Sequence, residues 1–343
     1  MSNVKANVCR AALVAAALAL PAAARADAVG DFYKGKTVAI IVGFGVGGGY
    51  DLYARTLARH LGAHLPGKPN IVVQNMVGAG GVTAANHVYN AAPKDGTVIA
   101  AVSQYAAMYQ LLDGKGAKYD PAKFQWLGSM TFSNNVAYTW NETGIKTFDD
   151  LKKRDIPVGG SGVISDANIY PNIMNALLGT KFKIINGYTG TNETNLAIER
   201  GELFGRGGGS YASLVSTRPE WLRDHKITIL IQVGTEKEPD LANVPLLTDL
   251  VKGGEAHQIA ALVTMPVAIG YNEWTAPGVP KDRVRALRAA YAAALKDPGL
   301  LAEAAKQKLE IRAKTGEQLE ALVRDAAKIP KPVLEKTKAI LGW

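Results

Sequence analysis

The stretch Lys36-Thr37-Val38-Ala39-Ile40-Ile41-Val42-Gly43-Phe44-Gly45-Val46-Gly47-Gly48-Gly49-Tyr50-Asp51 constrains this chain more than any other. Val38 to Val42 is a continuous apolar run, the pattern of a strand covered on both faces. The glycines that follow strip Cβ atoms from a turn, so its backbone can be approached closely. Asp51 opens a helix whose apolar stripe is Ala54, Leu57, Ala58 and Leu61. A helix start carries unpaired N–H groups and a partial positive charge, so the unit favours an anion.

The unit recurs. A short strand, Ile71 to Asn75, leads into a second glycine turn, Gly78-Ala79-Gly80-Gly81, and a helix through about Tyr89. The turn signal Pro93-Lys94-Asp95-Gly96 precedes a third strand, Thr97 to Val102, which ends in Ser103-Gln104-Tyr105. Repeated strand–turn–helix units predict an α/β fold with a parallel sheet covered by helices. Ligands of such sheets bind at the carboxyl ends of the strands, so all three turns point at one edge.

From Trp126 to Trp140 the pattern changes, and Phe132 to Trp140 reads as an extended crossover. A second α/β unit follows. It holds Pro157-Val158-Gly159-Gly160-Ser161-Gly162 as strand and turn, a helix from Asp166 to Leu178, and the strand Lys183-Ile184-Ile185 before Gly187-Tyr188-Thr189-Gly190-Thr191. Ile227 to Val233 is another strand, and the apolar run Ala260 to Tyr271 reads as the return crossover. The helices after Pro277-Gly278-Val279-Pro280 need a sheet to cover, and the N-terminal one is nearest. The expected organisation is one lobe of residues 27–137 plus 262–343 and an inserted lobe of 138–261, hinged at two crossovers with the glycine turns facing a shared cleft.

Residues 1–26 stand apart. Lys5 and Arg10 precede the apolar stretch Ala11 to Leu20, and Ala24-Arg25-Ala26 supplies a small-x-small cleavage pattern, so a cleavable signal peptide and an extracytoplasmic product are expected. The stretch is too short to span a bilayer. Cleavage takes the formal charge from +9 to +6 (36 basic minus 30 acidic residues) and removes Cys9, the only cysteine. A thiol-free product forms no disulfide and no cysteine metal site. The basic excess is spread out, with no block that would mark a nucleic-acid footprint.

Catalytic and cofactor readings find little support. Gly43-x-Gly45-x-x-Gly48 matches a dinucleotide fingerprint, yet no Asp or Glu occurs between Asp51 and Asp95 to bind the ribose. Gly48-Gly49 is followed by Tyr50-Asp51, so the phosphate-loop Gly-Lys-Ser/Thr is absent. His60 and His64 are four apart on a helix but lack the His-Glu-x-x-His pattern, and a solvated helix surface is the expectation. No serine sits in a Gly-x-Ser-x-Gly elbow. No catalytic residue, metal site or cofactor is expected.

From about Phe32 to Trp343 the chain resembles the periplasmic solute-binding receptors of tripartite tricarboxylate transporters. The run Gly47-Gly48-Gly49-Tyr50-Asp51-x-x-Ala54-Arg55 is similar to that family's Gly-Gly-Gly-Thr-Asp-x-x-Ala-Arg segment. Asn75-x-x-Gly78-Ala79-Gly80-Gly81, Ala92-Pro93-x-Asp95-Gly96, Gly187-Tyr188-Thr189-Gly190, Arg200-Gly201-Glu202 and Ala276-Pro277-Gly278-Val279-Pro280 match further segments in order and spacing. The resemblance implies a two-lobed flytrap that closes over a small organic carboxylate, held by backbone N–H groups and ordered waters. Carried across, that points to Gly47, Gly48, Gly49, Tyr50 and Asp51 in the first lobe and Ser161, Gly162 and Ser165 in the second. Ser103 and Gln104 lie where a third strand-end loop would meet the ligand, and Tyr188, Thr189, Gly190, Gly209 and Ser210 are further candidates.

The chain departs from the family where Phe44-Gly45-Val46 replaces a common Pro-Pro and where Tyr50 stands for a common Thr. Asp166 adds a negative charge beside the second anion-favouring turn; it either meets an ammonium or hydroxyl of the ligand or caps the helix. The expectation is a monomeric receptor that delivers a carboxylate to the membrane permease. A sensor that presents its closed state to a membrane signalling partner and a secreted hydrolase are the alternatives.

Overall fold

The structure, a computed structural model, describes residues 28–343 apart from 113 and 327. The expected signal peptide lies outside the described residues. The opening apolar run is strand β1 (Thr37–Val42), and the glycine turn after it leads into the helix Gly49–His64. β1 pairs in parallel with β2 (Asn70–Asn75) on one side and with β3 (Val98–Ala101) on the other. The three strands therefore end together, and their turns share one edge.

The parallel expectation fails beyond β3. β4 (Gln125–Thr131), β10 (Tyr271–Thr275) and β11 (Lys314–Thr315) complete a mixed sheet in the order β11-β4-β10-β3-β1-β2. β10 runs antiparallel to both β3 and β4, because the chain re-enters this sheet from the other lobe. A second sheet, in the order β7-β6-β8-β5-β9, is built from β5 (Asn135–Trp140), β6 (Ile156–Gly160), β7 (Phe182–Asn186), β8 (Gly205–Arg206) and β9 (Ile227–Val233).

The crossovers are shorter than the sequence suggested. β5 pairs along its whole length with β9, so the first passage between sheets is only Phe132 to Asn134, and a boundary at 137/138 falls inside β5. The return run is helical: a helix Gly254–Thr264, a 3-10 turn Met265–Ala268, then Gly270 before β10. The run Ala260 to Tyr271, read from sequence only as the return crossover, is thus helix and 3-10 turn over most of its length. The two passages touch. Gly270 has φ +66°, and a Cβ there would lie 2.0 Å from the Thr131 carbonyl oxygen.

The C-terminal helices divide their packing. Lys281–Ala294 packs on the helix Gly49–His64 and on β4, and Gly316–Ala326 also covers β4. The last helix, Lys331–Leu341, instead packs against Asp166–Leu178 and Gly254–Thr264. One apolar cluster accordingly runs from Val102 and Trp126 through Tyr170 and Met174 to Val333 and Leu341, joining both lobes.

β10 also buries a charge-bearing side chain. Glu273 is almost fully covered and accepts a hydrogen bond from the Tyr291 hydroxyl. Burial pushes its carboxyl up from 4.5 to about 8, so it is neutral in the folded protein at lower pH. Between those values the folded state binds more protons than the unfolded state, so stability falls as pH rises. Chemical denaturation at pH 5 and pH 8 should show the parent chain losing stability across this window, and Glu273→Gln should flatten that slope. An unchanged slope in the variant would contradict the assignment.

Candidate functional site

A cavity of about 40 Å³ lies between the lobes, room for on the order of three waters or the body of a small ligand. Four helix starts line it. Gly48 and Gly49 begin Gly49–His64, Asp166 begins Asp166–Leu178, Gly190 and Thr191 begin Thr191–Glu199, and Ser210 begins Tyr211–Thr217. Gly48 and Gly190, as N-cap residues, offer no side chain to their own helix. The first N–H groups of those two helices are thus left for another acceptor. Ser210 does cap its helix, its hydroxyl accepting from the Ser213 N–H at 3.3 Å.

Of the residues singled out from sequence, Gly48, Gly49, Tyr50, Ser103 and Gln104 reach the cavity from the first lobe. Ser161, Asp166, Gly190 and Ser210 reach it from the second. The other candidates hold the framework around it. Asp51 is buried, with its carboxylate accepting from the Gly47 N–H at 2.9 Å, Arg55 Nε at 2.9 Å and Asn75 Nδ2 at 2.8 Å. Burial alone would raise its pKa, but these donors outweigh burial and hold it below the usual range. Asp51 thus clamps the glycine turn, and Gly47 gives its N–H to that clamp.

Gly162 and Ser165 serve the contact between lobes. A Cβ on Gly162, whose φ is +120°, would stand 2.1 Å from the Gly80 nitrogen. Ser165 Oγ donates to the Gly162 carbonyl at 2.8 Å and to Asn168 Oδ1 at 2.9 Å, bracing the turn. Ser103 Oγ donates across to the Ile164 carbonyl at 2.6 Å, and the Gly45 N–H donates to the Thr189 carbonyl at 3.0 Å. Thr189 also gives its hydroxyl to Glu193 at 2.9 Å, Tyr188 packs beside Gly159, and Gly209 accepts from the Val136 N–H at 2.8 Å.

Several cavity residues escaped the sequence reading. Arg206, on β8, is only 3% exposed and lines the cavity. Its Nε donates to the Gly208 carbonyl at 3.2 Å, and its Nη2 stands 4.0 Å from Asp166 Oδ1. Ser133 and Gly270 enter from the passages between the lobes, Asn135 from the start of β5, and Phe44, Tyr105 and Tyr271 add aromatic wall. Arg206 sits before three glycines with no motif spacing around it, and Tyr271 lies far along the chain, so only the run Gly207-Gly208-Gly209 offered a signal.

The aromatic wall is tightly built. Tyr50 stacks on Phe44 with centroids 4.8 Å apart and meets Tyr271 edge-on at 4.6 Å. Gly49 is required by this packing, since a Cβ there would stand 2.3 Å from the Tyr271 hydroxyl. The Tyr50 hydroxyl accepts the Gln104 N–H at 2.9 Å, and burial raises its pKa well above normal. Burial likewise raises Asp166, against the pull of Arg206 and nearby N–H groups, so the carboxyl is less acidic than in water.

His60 and His64 sit away from the cavity and are not simply solvated. Each meets a different carboxylate, Glu303 at 2.9 Å and Asp297 at 2.8 Å, on or beside the helix Pro298–Lys306. Among the described residues no cluster of three His, Cys, Asp or Glu could hold a metal ion.

Two α/β lobes around an anion-favouring cleft define the class of two-lobed solute-binding proteins. Residues 53–339 match the model of the tripartite tricarboxylate transporter family receptor, and the chain belongs to that family. A relative from Cupriavidus necator, described as a UPF0065 protein in the gbd 5' region, is 25% identical over 345 residues, covering 96% of each chain. Among solved structures, the periplasmic binding protein BugD is 19% identical with a TM-score of 0.69, over 90% of this chain and 99% of that one. A Rhodopseudomonas palustris protein, MatC, with bound malate is 20% identical with a TM-score of 0.66, over 88% and 98%. Another R. palustris protein, with adipate, is 19% identical with a TM-score of 0.68, over 90% and 97%. These likenesses establish the fold as the two-lobed one.

The backbone approach of Gly162 to Gly80 generates a test. Gly162→Ala places a methyl where the other lobe's backbone lies and forces alanine into a left-handed conformation, a strain of about 1–3 kcal/mol. Small-angle X-ray scattering should report a larger radius of gyration than the parent's, with circular dichroism unchanged. An identical scattering profile would show that this contact does not govern how far the lobes approach.

Proposed function

We propose that this chain is a periplasmic receptor that captures a small organic carboxylate between its lobes and hands it to membrane permease subunits of a tripartite transporter. The observation that carries the reading is the convergence of glycine-capped helix starts and the buried Arg206 guanidinium on one small cavity. Helix N–H groups favour an anion, and a guanidinium can hold a carboxylate with two parallel bonds. Membership of the receptor family and the malate- and adipate-bound relatives support a carboxylate as that anion.

In this reading the chain acts as a monomer without turnover. Ser133 and Ser210 face each other at 3.2 Å in the cavity, but none of the five histidines lies there to activate a hydroxyl. The lobes divide at Phe132 to Asn134 and Met265 to Gly270, and rotation about those passages opens the cleft. The signal peptide of residues 1–26 directs the chain across the membrane.

Differential scanning fluorimetry against acids of two to six carbons tests the reading. A ligand at 100 times its dissociation constant should stabilise the fold by about 2.7 kcal/mol. Arg206→Ala should weaken the best acid by roughly 10- to 100-fold, as loss of a charge-assisted pair would. Absence of stabilisation by every acid would refute the proposal.

A further inference from the structure

The cavity holds one cation and one anion, and they are not fully joined. Arg206 Nη2 and Asp166 Oδ1 are 4.0 Å apart, beyond hydrogen-bonding reach. Asp166 accepts from the Ala167 N–H at 2.8 Å, while an ionised carboxylate offers about four lone-pair positions. The N-cap of its helix is Ser165, so Asp166 is not there as the cap.

A second acceptor shares the cavity. Asn135 is 1% exposed, and its Oδ1 has no hydrogen-bond partner. Its Nδ2 donates to the Tyr105 hydroxyl at 3.2 Å, and the charge of Asp166 bears on that same hydroxyl. Asp166 and the unpartnered Asn135 Oδ1 thus line the same cavity, a space with little water. A dicarboxylate would add two negative charges beside Asp166, which already offsets Arg206, and would leave Asn135 Oδ1 without a donor. A hydroxyl carries one proton and can serve one of the two acceptors. An ammonium carries three donors and a positive charge, so it can serve both.

We infer that the ligand is a zwitterion, an amino acid whose carboxylate meets Arg206 and the glycine-capped helix starts while its ammonium group bridges Asp166 and Asn135. This rests on the carboxylate reading above and narrows it. The ligand enters with no net charge, and Arg206 and Asp166 each gain a partner closer than the 4.0 Å at which they meet each other.

Isothermal titration calorimetry with matched pairs tests the inference. The probes are propionate against alanine and β-alanine and butyrate against 4-aminobutyrate, with succinate and glutarate as the amine-free dicarboxylates. The expected result is that at least one amino acid binds the parent chain tenfold or more tightly than its amine-free partner, with Asp166→Asn erasing that preference. If the amine-free acids bind as well or better, the inference is overturned while the carboxylate reading stands, and Asp166 serves only to offset Arg206. If no probe of either kind binds, both fail. The comparison within the unmodified chain decides the matter even where Asp166→Asn does not fold.

Discussion

A helix cannot satisfy its own first N–H groups, and this structure brings four helix starts to the wall of one cavity. Two of the helices begin with glycine, which supplies no side-chain acceptor, so their donors stay open. Each such start follows a turn at the carboxyl end of a strand. β1 delivers Gly48 and Gly49 from one lobe, and the turn after β7 delivers Gly190 and Thr191 from the other. An anion in the cavity interacts with both sets only when the lobes are together. Its differential affinity for that arrangement is the whole thermodynamic basis for closure by a ligand.

Bringing the sets together requires backbone to touch backbone, and the glycines follow from that. Gly80 and Gly162 pack with no room for a Cβ on either, and Gly49 yields its side-chain space to Tyr271. Asp51, Arg55 and Asn75 brace the first turn from behind, so its N–H groups are fixed before a ligand arrives. Preorganised donors lose less entropy on binding than donors that must be ordered. The aromatic stack of Phe44, Tyr50 and Tyr271 closes one side and lowers the local water content. That strengthens every electrostatic contact inside, the mismatch between Arg206 and Asp166 included.

The first lobe's parallel strands were legible because strand, glycine turn and amphipathic helix each have a distinct period, and they repeat in order. β10 was not. Tyr271-Asn272-Glu273-Trp274-Thr275 carries polar residues at positions that the structure buries: Asn272 Nδ2 donates to the Val102 carbonyl and Glu273 accepts from Tyr291, while Asn272 Oδ1 and Trp274 Nε1 have no protein partner. Nothing local distinguishes such a strand from a loop. The site shows the same split. Glycine turns mark where a backbone is approached, so Gly48, Gly49 and Gly190 could be found. The direction of a side chain is set by tertiary packing, so Asp51 read as a cavity residue and Arg206 did not.

Asp166 and Tyr50 were the two departures that promised selectivity, and the structure gives them unequal work. The hydroxyl of Tyr50 is taken by the Gln104 N–H, and its ring is held between Phe44 and Tyr271. It shapes the wall, and its polar atom already has a partner. Asp166 lies 4.0 Å from the Arg206 guanidinium, beyond hydrogen-bonding reach, and both line the cavity. A neutral wall of rings sets the width of the cavity. An opposed pair of charges, Asp166 at a helix start and Arg206 on β8, gives the cavity two electrostatically different sides.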